Sequence, residues 1–174
     1  MTPEERLAER GLTLPPLRRP AGSYRGWMRG GDLLYLSGQG ADGHTGRLGA
    51  DLTVAQGYAA ARACALNLLA QARDALGALD AVGQVVQVRG FVTSTDDFTD
   101  QPAVVDGASD LFVEAFGEHG AHARTAIGVA ALPRGFAVEV DAVLLVALHV
   151  PRRDDQLGRR VTRPRRLPLP RRRA

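Results

Sequence analysis

Lysine is absent from this 174-residue chain, and all 22 of its basic residues are arginine, a bias read as compositional drift. Cysteine occurs once, at Cys64, which excludes an intrachain disulfide framework and makes a reducing, cytoplasmic compartment the expectation. No uninterrupted apolar run reaches the length of a membrane span, so no membrane association is expected. The opening MTPEERLAERG mixes acids with arginines and has no apolar stretch of the secretory kind. Histidine is scarce. His119 and His122 stand beside Glu118, but without further ligands they read as a helix end rather than a metal site. The segment GQGADGHTGRLG has neither a phosphate-loop lysine nor dinucleotide-fold spacing. Neither a metal nor a cofactor is expected.

Apolar residues make up 45% of the chain, enough to build a core, and the length suits one domain with a tail. The charge is divided unevenly. Residues 1–150 hold 12 arginines against 17 acids, whereas residues 151–174 hold 10 arginines against Asp154 and Asp155. The proline- and arginine-rich tail lacks periodicity and reads as disordered. Its arginines could touch nucleic acid weakly and without reading sequence, although no aromatics are interleaved for stacking. The expected organisation is an extended lead-in over 1–20, a folded domain over 21–150, and the tail over 151–174.

Within the domain, 23–29 and 32–37 read as a hairpin about Gly30-Gly31, with Ser37-Gly38-Gln39-Gly40 closing the second strand. Thr53 is a fitting N-cap for a long helix whose apolar positions run from Val54 to Leu76, and Gly77 stops it. Its alanine content suits close packing on a flat sheet, and Cys64 belongs to its core face. Residues 85–92 read as a strand. Asp96, Asp97 and Asp100 are placed to cap a second helix near 102–117. Strands follow at 123–132 and 137–150, joined by a Pro133-Arg134-Gly135 turn. The order β-β-α-β-α-β-β predicts an α+β fold, one mixed sheet with both helices on one face. The bare face predicts self-association.

Two charges stand out of place. Arg124 and Glu139 lie in strands otherwise made of alanine, valine, isoleucine and leucine. If those strands are neighbours joined by the short turn, the two side chains meet. A guanidinium grips a carboxylate through two parallel hydrogen bonds, and a buried one left unpaired is costly. Pattern alone leaves open whether they form a structural ion pair or serve a ligand.

The segment RTAIGVAALPRGFAVEVDA (124–142) resembles the signature of the Rid family, also called the YjgF or L-PSP group. SGQ at 37–39, GYAAARACALNLL at 57–69 and the stretch 90–126 fall in the family's order. The resemblance spans about residues 20–150. It is nearest to a YjgF-like subgroup with a longer N-terminus and the DFTDQP and GASDL segments. It implies a chorismate-mutase-like fold and a homotrimer with sites between subunits. It also implies an enamine/imine deaminase that converts 2-imino acids to 2-keto acids and ammonia. Carried over by resemblance, Arg124 anchors the substrate carboxylate and Glu139 positions water. Tyr24, Ser37, Gly38, Asp110, Thr125 and Ala126 line the pocket. Ala126 replaces the cysteine of the best-known deaminase branch, and Asp110 falls at the family's asparagine position. Those departures keep one alternative in view, a non-catalytic trimeric binder of a small carboxylate metabolite, and the resemblance implies another, an RNA-binding or endoribonuclease protein. The acidic body disfavours the last.

Overall fold

The computed structural model describes residues 1–147. In chain order the elements are α1 (Pro3–Glu9), β1 (Trp27–Gly30), β2 (Leu33–Gln39), α2 (Val54–Leu76), β3 (Val82–Thr93), α3 (Gln101–Phe116), β4 (Ala123–Val129) and β5 (Val138–Val146). The strands form one five-stranded mixed sheet in the order β1-β2-β5-β3-β4. Only β3 and β4 pair in parallel. From β1 onward the element order is the expected one, with α2 and α3 on one face of the sheet.

Local chemistry explains why α2 is so regular. Thr53 accepts from the Gln56 backbone N–H while the Gln56 side chain accepts from the Thr53 N–H, a complete capping box. Gly77, at φ 88°, ends the helix in a conformation that favours glycine. Ala60, Ala61, Cys64, Ala65, Leu68, Leu69 and Ala72 are fully buried. Cys64 is a core residue, as expected, and burial pushes its thiol pKa well up, so it is unreactive. Helices α2 and α3 approach closely because Gly107 of α3 has no side chain, and a Cβ there would overlap the Tyr58 carbonyl. Phe112, Leu111, Val104 and Leu144 complete the core between helices and sheet.

Three sequence expectations need correction. The lead-in over 1–20 is not extended throughout. Residues 3–9 form α1, closed by a Thr2–Glu5 capping box, and it docks through the buried Leu7 and through the Leu79 N–H, which donates to the Glu4 carboxylate at 2.7 Å. The hairpin turns on Gly31-Asp32, one residue later than expected, with Gly31 at φ 63°. Asp100 occupies the N-cap of α3, yet its side chain makes no capping hydrogen bond. The last strand ends at Val146, and the tail over 151–174 lies outside the described residues.

Among the described residues, no element covers the sheet face away from the helices. Met28, Tyr35, Ile127 and Leu145 are exposed on it by 58%, 48%, 44% and 39%, an apolar set larger than scattered surface residues supply. Strand β4 is the sheet's edge beside β3, and all seven of its residues are exposed or half-exposed.

Candidate functional site

The expectation that β4 and β5 are neighbours fails. Strand β3 runs between them, pairing with β4 on one side and β5 on the other. Arg124 is in register with Val88, and Glu139 with Phe91. Residues in register point to the same side, and side chains alternate along a strand, so an offset of three along β3 puts Arg124 and Glu139 on opposite faces. Two strand spacings and three residues of rise separate their Cα atoms by about 14 Å. Within one chain they form no pair.

Glu139 opens on the uncovered face, at the start of β5, in a cleft of about 310 Å³. Tyr24, Ser37 and Gly38 line the same cleft, so four of the eight expected site residues come together. A bulge in β2 makes this possible. Leu36 pairs with Ala142 and Gln39 with Val140, leaving Ser37 and Gly38 opposite Asp141 alone. Ser37 is pinned there, its hydroxyl donating to the Arg25 carbonyl at 2.6 Å and its N–H to the Gly26 carbonyl at 2.9 Å. Gly38 then lies flat beneath the Glu139 carboxyl, whose Cδ would be 2.9 Å from a Cβ at that position. Glu139 is half-buried and makes no hydrogen bond or ion pair among the described residues. Burial, and secondarily the nearby Asp141 charge, raise its carboxyl above the usual carboxylate range. Asp141 itself is held by Arg89 through two bonds of 2.9 and 2.8 Å.

Arg124 lies at the other edge of the sheet, on the helix side. Its guanidinium donates to the Asp106 carboxylate at 2.5 Å and to the Ser109 hydroxyl at 3.1 Å, both on α3. Ser109 also meets His122 Nε2 at 3.0 Å, and His122 Nδ1 meets the Gly120 carbonyl at 2.6 Å. Burial, with the Arg124 charge as a smaller contributor, lowers the His122 pKa. Thr125 points to the uncovered face in register with Arg89, and Ala126 packs half-buried against the core. Asp110 is not at this site. Its carboxylate accepts from the Tyr58 hydroxyl at 2.8 Å across the outer surface of α2 and α3. The acid that meets Arg124 is Asp106, one helical turn earlier. His119 and His122 belong to no metal cluster among the described residues.

Sequence reasoning missed a group of cations around Glu139. Arg18, Arg19 and Arg134 line its cleft together with Phe136. Arg18 donates to the Gly40 carbonyl and, at 2.9 Å, to Asp42, and its own carbonyl accepts from Gln71 at 3.0 Å. In the sequence these cations appear only as the Arg18-Arg19 pair of the lead-in and the Arg134 turn, and neither pattern marks a cleft.

Residues 4–145 match the family described as "YjgF/chorismate mutase-like, putative endoribonuclease". The chain is 49% identical over 144 residues to Protein TCP17 of Trypanosoma cruzi, covering 79% of this chain and 90% of that one. A solved structure of a protein of unknown function from Agrobacterium tumefaciens is 40% identical, with a TM-score of 0.79 over 83% of this chain and 92% of that one. RidA from the Antarctic bacterium Psychrobacter is 29% identical, with a TM-score of 0.52 over 75% of this chain and 94% of that one. With its sheet order, its bulged Ser-Gly-Gln strand and these matches together, the chain belongs to the YjgF/Rid family.

Proposed function

We propose that the protein is an enamine/imine deaminase whose site is completed between copies in a homotrimer. The observation that carries this reading is the division of the site. Glu139 stands in a cleft, half-buried and without a hydrogen-bond or ion-pair partner among the described residues, while Arg124 lies on the opposite face at the exposed β4 edge. Association through the uncovered sheet face and the β4 edge would bring Arg124 of one copy to the Glu139 cleft of the next. The apolar residues exposed on that face favour such burial.

The chemistry asks little of the protein beyond orientation. Arg124 holds the carboxylate of a 2-imino acid. Water adds to the imine carbon as Glu139 accepts its proton, giving a tetrahedral carbinolamine. The nitrogen takes up a proton, the C–N bond breaks with its electron pair leaving on ammonia, and the C=O of a 2-keto acid forms. Burial raises the proton affinity of the Glu139 carboxylate, which makes it a stronger proton acceptor than an ordinary carboxylate. Holding water and imine together supplies most of the acceleration.

The test is keto-acid release from imines generated by an amino-acid oxidase. Acceleration over buffer in the wild type, lost in Arg124→Ala, supports the reading. No acceleration, or an undiminished rate in Arg124→Ala, overturns it. Thermal stabilisation by 2-keto acids without turnover would favour the binder instead.

A further inference from the structure

We propose that this cleft selects imines derived from acidic amino acids, with Arg19 and Arg134 receiving the second carboxylate of the substrate. The inference rests on the deaminase reading above and deepens it.

Three guanidinium groups line the cleft that holds Glu139. They are not equivalent. Arg18 is part of the framework, its side chain 22% exposed and tied to Gly40 and Asp42. Arg134 has a side chain 65% exposed and shares the same Asp42 oxygen at 3.1 Å. Arg19 has no hydrogen bond or ion pair among the described residues. One neighbouring carboxylate, Asp42, therefore serves two guanidiniums and leaves Arg19 unmatched. Glu139, the acid of the cleft itself, and Asp42 are two carboxylates against three guanidiniums. The local balance is positive although the body of the chain carries more acids than arginines.

The placement of Arg134 is built rather than incidental. It has φ 58°, and among the described residues it is the one non-glycine with positive φ. That conformation turns its side chain back over the Phe136 ring, with the guanidinium carbon 5.2 Å from the ring centroid. Arg18 lies 5.4 Å from the same centroid. Phe136 is itself seated against Gly40, where a Cβ would overlap its ring. An exposed ion pair such as Arg134–Asp42 is worth little, so a ligand carboxylate competes with it readily.

The substrate's first carboxylate is expected on Arg124 of a second copy. The cations of the cleft then have no counterion from a monocarboxylate with a small apolar side chain. A dicarboxylate supplies one. A volume near 310 Å³ suits a molecule of that size.

The experiment compares 2-iminoglutarate with 2-iminobutanoate, each generated in situ by an amino-acid oxidase, on the full-length protein. The expected result is a higher kcat/KM for 2-iminoglutarate. The preference ratio should fall about tenfold in Arg134→Gln and in Arg19→Gln, the loss of one charge-assisted contact. Turnover of both imines with no preference for the dicarboxylate, or a ratio unchanged in both variants, overturns the inference and leaves the deaminase reading standing. Turnover of neither overturns both.

Discussion

Gly38 sits under the Glu139 carboxyl, and replacing it with alanine tests how closely the activity depends on that carboxyl's position. A Cβ at residue 38 would lie 2.9 Å from Glu139 Cδ and 3.2 Å from Cγ, with Oε1 nearer still. Ordinary carbon–carbon contact begins near ~3.5 Å, so the carboxyl must withdraw by roughly 1 Å. Misplacing a catalytic group by that distance costs on the order of 100-fold in rate. The backbone does not object, because Gly38 lies outside the left-handed region, and the obstructed atoms are the end of a flexible side chain. Gly38→Ala should therefore lose about 100-fold in kcat/KM on an oxidase-generated imine. Its Tm should stay within about 4 °C of wild type, the shift expected for a change below 1 kcal/mol. Wild-type turnover in Gly38→Ala would refute the claim that the carboxyl must sit where it does.

Further outcomes follow from the same geometry. The Glu139 carboxyl is raised in the folded chain, so the folded state holds its proton more tightly than the unfolded chain does. Stability then falls as pH rises from the unfolded value through the folded one, and the ionised carboxylate is a cost above it. Glu139→Gln should be inactive yet at least as stable as wild type at pH 7–8, with the difference closing toward pH 4, as read by thermal melts across that range. Asp106→Asn removes the charge that competes with a ligand for Arg124. Because Asp106 is half-exposed the pair is worth about 0.2–1 kcal/mol, so calorimetry with 2-oxobutanoate should show binding tighter by at most about fivefold. Weaker binding would mean that Asp106 orients the guanidinium. Phe112 is fully buried and lies edge-on to His122 at 5.9 Å, and Phe112→Ala should cost about 3–5 kcal/mol in a denaturant melt.

Much of the fold was legible because its signals are local. The capping box and terminal glycine of α2 are written in adjacent residues, and the structure uses both. The α1 capping box was equally local, in Thr2 and Glu5, but the prolines and arginines that follow drew the whole segment toward an extended reading. Strand neighbours are not local. A short link between β4 and β5 fits a hairpin, and nothing in either strand says that β3 lies between them. That one insertion puts Arg124 and Glu139 on opposite faces, so the two charges do not meet within one chain. Asp110 and Asp106 differ by one helical turn, and the packing of β4 on α3, which is not local in sequence, brings Asp106 to Arg124 and leaves Asp110 to Tyr58. Ser37 and Gly38 do reach the Glu139 cleft through the β2 bulge, and Tyr24 reaches it from the segment before β1.

The division of the site between copies is tested most directly by mixing two inactive variants. Arg124→Ala and Glu139→Gln, purified separately, are unfolded together and refolded at equal concentration. If each site takes Glu139 from one copy and Arg124 from another, random assembly restores about a quarter of the sites and a matching fraction of wild-type imine hydrolysis. If both residues must come from one chain, the mixture stays as inactive as its components, and that result would contradict the shared site.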